Sequence, residues 1–105
     1  MTQPPARVGG ADVLRWTDLA GTHPTGRTTH RVGGAELGPA SGLATCGYAG
    51  DPSVYLFYCD AEWNVRTDTW HASVEAAMDQ AEFEYAGVTP TWRARVTASP
   101  NRGRL

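Results

Sequence analysis

Lysine and isoleucine are missing from this 105-residue chain, although arginine occurs nine times and valine eight. Codons for both absent residues are AT-rich, which points to a GC-rich, bacterial source. Every basic side chain other than histidine is therefore a planar guanidinium. No apolar run approaches the roughly 20 residues of a membrane-spanning helix, so no membrane association is expected. The opening residues, MTQPPARVGGAD, lack the apolar core of a secretory signal, and we expect a cytoplasmic protein. The two cysteines form no CxxC pair, which excludes a zinc ribbon and a thioredoxin-like motif. The glycines match neither GxGxxG nor a Walker loop, so no nucleotide and no other cofactor is expected. The chain reads as free of internal repeats and heptads. What remains is an ordinary globular composition, 41% hydrophobic and 19% charged with a net charge of −2, sized for one domain.

The small net charge hides a segregation. Residues 51–86 carry eight acids against Arg66 alone, a balance of −7, whereas the last nineteen residues carry four arginines and no acid. An acidic centre repels a phosphate backbone, so nucleic acid is not expected as a partner of the core. The arginine-rich end reads as a solvated tail or as a contact for an anion or nucleic acid.

Residues 1–12, with two prolines and a Gly-Gly pair, read as a disordered lead. Asp12–Leu19 suggests a short helix, 21–28 a loop, and Thr29–Leu37 a weak strand. Leu43–Ala49 and Val54–Cys59 are expected to pair across the turn Gly50–Ser53. The second of these, VYLFYC, has no polar alternation, which predicts cover on both faces and burial of Leu56 and Phe57. Trp63–Thr69 alternates, placing Trp63, Val65, Thr67 and Thr69 on one face. Ser73 is a helix N-cap candidate, Gly87 a stop, and Val74, Ala77, Met78, Ala81 and Tyr85 form the helix's apolar stripe. Thr91–Val96 reads as an edge strand or a strap. The expected fold is α+β: a three- to four-stranded antiparallel sheet with one main helix packed on one face. The domain is expected over 13–97, with a flexible basic tail over 98–105.

Candidate chemistry is sparse. Cys46 and Cys59 read as small buried hydrophobes, about one pleat out of register on neighbouring strands. Asp68 and His71, in DTWH, fall where a carboxylate could orient an imidazole, with Cys59 as the available nucleophile. His23, His30 and His71 lack metal-ligand spacing, and no metal is expected. Glu75, Asp79, Glu82 and Glu84 lie on the helix without basic partners within it, either as a solvated face or as a platform for a basic partner or the chain's own arginine-rich tail. Ten aromatic residues exceed what one helix over one sheet face can cover. Phe83 falls opposite the apolar stripe, which suggests contact with another molecule.

The stretch YLFYCDAEWNVRTDTWHASVEAAMDQAEFEYAGV, from Tyr55 to Val88, resembles a group of small uncharacterised bacterial proteins sharing the pattern YLFYCD…WNV…DTWH…AEFEY-G. That resemblance implies no activity and transfers no catalytic residue. A looser likeness, to the strand–strand–helix unit of HicB-type antitoxins, concerns the fold alone. The expected function is a non-enzymatic protein-interaction module, of immunity or antitoxin type, with a protein partner or a second copy bound. The candidate binding residues are Trp63, Asp68, Trp70, His71, Asp79, Phe83 and Glu84. The alternatives are a small enzyme using Asp68, His71 and Cys59, and a nucleic-acid accessory protein using the arginine-rich end.

Overall fold

The computed structural model describes residues 1–96. Strands β1 (Arg7–Val8), β2 (Ala11–Asp18), β6 (Gly42–Gly47), β7 (Val54–Cys59) and β8 (Val65–His71) form a five-stranded sheet in the order β1-β2-β6-β7-β8. Every pairing in it is antiparallel. Two small ribbons lie outside this sheet. One joins β3 (His23–Pro24) to β9 (Tyr85–Ala86), and the other joins β4 (Arg31–Val32) to β5 (Ala35–Glu36). Helix α1 (Val74–Glu84) follows β8, and a 3-10 turn spans Thr89–Thr91. The fold is α+β with one main helix on one sheet face, and the strand count exceeds the three or four expected.

The extra strands come from the N-terminus. Residues 1–12 are not a loose lead: Arg7 and Val8 pair with Asp12 and Ala11, and Pro4, Val8 and Ala11 are buried. The domain therefore starts before residue 13, while the expected tail 98–105 lies outside the described residues. Asp12–Leu19 is a strand, not a helix. A register shift between Val13 and Arg15 inserts Leu14 as a bulge. One extra residue breaks the period of two and leaves apolar spacings that mimic a helix.

The chain also contains a short repeat. RVGGAD at 7–12 recurs as RVGGAE at 31–36, and both segments fold as hairpins with Gly-Gly turns in the same register. All four turn glycines have positive φ, as a two-residue hairpin of the I′ kind demands.

Two apolar clusters sandwich the sheet. On the helix side Leu43, Leu56 and Tyr58 meet Ala77, Ala81, Tyr85 and Val88. On the other side Phe57, Cys46, Cys59 and Ala44 are covered by Val8, Trp16 and Trp63. Leu56 and Phe57 are both buried, as an inner strand apolar on both faces requires. The sheet curls, so that a Cβ on Gly9 would lie 2.9 Å from Phe57 and 3.1 Å from Val65. The helix begins as its sequence indicates, with the Ser73 hydroxyl accepting from the Ala76 amide at 3.1 Å.

The two edges of the sheet differ. The outer side of β2 is covered by β1 and, further along, by the 92–96 strap, where Trp16 and Arg93 exchange backbone hydrogen bonds of 2.9 Å. β8 pairs with β7 on one side, and its other side has no backbone partner among the described residues.

Candidate functional site

Strand β8 carries the residues singled out from the sequence, but a bulge re-sorts them. Cys59 pairs with Val65 and Tyr58 with Thr67, so Arg66 is an extra residue. The pleat changes phase there. Thr67, Thr69 and His71 point to the helix side, opposite Tyr58, Leu56 and Val54. Asp68 and Trp70 point to the other side, opposite Phe57 and Tyr55. The expected common face of Trp63, Val65, Thr67 and Thr69 is thus divided.

The same alternation separates Asp68 from His71. His71 Nε2 lies 2.7 Å from the Thr69 hydroxyl, and burial holds its imidazole below the usual histidine range. Asp68 is exposed on the opposite face, and Cys59 is fully enclosed. The Asp68–His71–Cys59 constellation is therefore not assembled. Burial pushes the Cys59 and Cys46 thiols up to about 12, far from thiolate reactivity. Both cysteines are free. They sit further apart than one pleat, since Cys46 faces Tyr55 and Cys59 faces Gly42.

Trp63 is a core residue, not a binding residue. It holds a left-handed φ of 66° after the Asp60 turn, where the Asp60 carboxylate accepts from the Glu62 and Asn64 amides and the Asn64 side chain. Those bonds hold the Asp60 carboxyl below its usual range. Trp63 packs edge-on to Trp16 at 5.8 Å, and its indole N–H donates to the Thr2 carbonyl. A Cβ on Gly42 would come within 2.8 Å of the Trp63 ring, so this tryptophan needs a glycine opposite.

The acidic helix set also divides. Asp79 and Glu75 are exposed. Glu82 accepts from the Gly87 and Thr89 amides and the Thr89 hydroxyl, which hold its carboxyl low and tie the chain after the helix. Glu84, placed at a solvated rim by its sequence context, is 5% exposed. It sits seven and three residues from the stripe positions Ala77 and Ala81, on the buried side of the helix, and segment 22–40 closes over it. Its carboxylate accepts from the Tyr58 hydroxyl, from Gln80 Nε2 at 2.9 Å, and from His30 Nε2 at 2.7 Å. His30 Nδ1 is in turn 2.9 Å from the Thr67 hydroxyl. The Tyr58 phenol is pushed well above its usual range by burial, and next by the carboxylate it serves.

This buried group is a latch. His30 bridges the two sides of this group, with Nε2 on the Glu84 carboxylate and Nδ1 on the Thr67 hydroxyl. Both ring nitrogens are engaged, leaving neither free as a general base. A cleft of about 180 Å³ lies beside it, lined by Pro24, Thr28, Glu36, Leu37 and Pro39 as well as His30 and Glu84. Small-molecule sites usually span about 300–1,000 Å³. The latch was missed in the sequence because His30 lies 54 residues from Glu84, and no local pattern links them.

Phe83 is 45% exposed, with the Arg27 guanidinium 5.3 Å from its ring centroid. Its partial cover therefore comes from loop 22–40. Trp70 is 60% exposed, the other large exposed aromatic of the expected set. It continues a row formed by Tyr55, its cross-strand partner, and Tyr48, whose ring meets Tyr55 edge-on at 5.5 Å.

Of the expected site residues, Asp68 and Trp70 thus share one open surface, Phe83 and Asp79 lie on the helix exterior, His71 is half-buried, and Trp63 and Glu84 are interior. Among the described residues no helix is long and apolar enough to cross a membrane. Comparison with protein-family models, curated proteins and solved structures finds no match for this chain.

Proposed function

We propose that this chain is a non-enzymatic protein-interaction module that offers the free edge of β8, with Trp70 as its anchor, to an incoming strand. The observation that carries this reading is the coincidence of two exposures. Among the described residues a seven-residue edge strand is paired on one side only, and a tryptophan 60% exposed stands on it. Unpaired backbone groups supply affinity in strand addition, and alternate side chains supply specificity. Tryptophan is among the commonest binding anchors because it buries a large area with few torsions to restrict. An immunity-type or antitoxin-type role belongs to this reading, since both consist of capturing another protein.

The test is a selection from a random dodecapeptide library on the immobilised protein, followed by hydrogen exchange on the complexes. Enriched peptides should slow exchange of β8 amides, and Trp70→Ala should weaken them at least about tenfold. Protection confined to other elements would remove the reading. The enzyme alternative lacks a supporting observation, because His71 stands on the opposite sheet face from Asp68 and Cys59.

A further inference from the structure

The repeated hairpin is present in two environments. In RVGGAD, Val8 is 3% exposed, Gly9 lies against Phe57 and Val65, and Arg7 is paired with Asp12 at 3.0 Å. In RVGGAE, Val32 is 53% exposed, and no atom lies within 4 Å of where a Cβ on Gly33 or Gly34 would stand. Arg31 and Glu36 face each other in register yet form no ion pair. Among the described residues the β4–β5 ribbon joins no other sheet, and it projects as an arm whose base is closed by the bond from the Leu37 amide to the His30 carbonyl. His30 then fixes that base to the body through Glu84 and Thr67. The arm is thus held firmly at its root while its apolar tip is bare.

We propose that the β4–β5 arm of one copy docks on the β8 edge of a second copy, with Val32 against Trp70 and Tyr55. This rests on the reading of β8 as an interaction surface and names its occupant. The first support is a contact already made within the chain. The twin hairpin packs on the same sheet face, against Phe57 and Val65, the neighbours of Tyr55 and Asp68 along β7 and β8. The second is the pairing state: among the described residues the arm and β8 both have free strand edges. The third is charge: direct pairing of two β8 edges centred on Asp68 would set like charges opposite each other, which is unfavourable.

Sedimentation velocity over a concentration series tests this with two surface variants, Val32→Asp and Trp70→Asp. The wild type should self-associate, and each variant should stay folded and monomeric. An equimolar mixture of the two should form a heterodimer, because each supplies the half that the other lacks. A wild type monomeric throughout, association that survives either substitution, or a mixture that stays monomeric would overturn the proposal. A monomeric wild type whose β8 edge still captures library peptides removes the second copy and leaves the edge reading standing. Failure of both assays removes both.

Discussion

RVGGAD and RVGGAE differ in one residue by one methylene group, and their backbones turn in the same way, yet Val8 is enclosed and Val32 is bare. Local sequence therefore sets the hairpin, through a Gly-Gly pair that takes positive φ at both turn positions. Where the hairpin lands sets its energetics. The first closes the far side of the sheet and belongs to the architecture. The second is rooted by a buried carboxylate and exposes a tip that the fold does not use.

The largest expected effect is at the root. Glu84→Ala strands the Tyr58 hydroxyl and the His30 ring beside an empty site, and should cost about 3–5 kcal/mol in urea unfolding. Asp79→Ala, on the exposed side of the same helix, should change stability by less than about 0.5 kcal/mol. Equal losses would show that Glu84 is not a latch.

The two glycine turns allow a sharper comparison. Gly9 and Gly33 both have φ of 59°. Alanine should cost each about 1–2 kcal/mol for the left-handed backbone. Gly9→Ala should lose about 1–3 kcal/mol more, because its methyl would meet Phe57 at 2.9 Å, whereas Gly33 has open space. Matching melting curves for the two variants would contradict the placement of the first hairpin. A smaller contrast follows at the valines. Val8→Ala should cost about 1–3 kcal/mol, and Val32→Ala less than about 0.5 kcal/mol, by chemical denaturation.

The smallest expected effect concerns pH. Burial holds the His71 imidazole below its usual range. The unfolded chain therefore takes up the proton first, and stability is present above about pH 6.5 and declines as pH falls through the folded value. Replacing it, as His71→Gln, should flatten the acid limb of the stability profile. An unchanged slope between neutral and mildly acid pH would show that His71 is as solvated as an ordinary surface histidine.

Much of the fold was legible where signals are local. The Ser73 cap, the Gly50–Ser53 turn and the apolar run 54–59 each state their structure within a few residues. Both misread strands contain a bulge, at Leu14 and at Arg66, and one inserted residue inverts every later facing. The Gly-Gly hairpin signal at 9–10 was present and was hidden by the prolines before it. Glu84 was legible in part, since its spacing from Ala77 puts it on the buried stripe. What the sequence could not convey was that His30 and Tyr58 arrive from distant segments to satisfy it. The exposed face of β8 was legible in part: Trp70 and Asp68 share the side that strand alternation implies once the bulge is known.

One sample separates architecture from function most directly. Melting temperature and peptide capture should be measured together on Trp70→Ala. Trp70 is 60% exposed on an edge strand, so melting should stay close to that of the wild type while capture falls at least about tenfold. Undiminished capture, or a large loss of stability with it, would contradict the assignment of the β8 edge as the working surface.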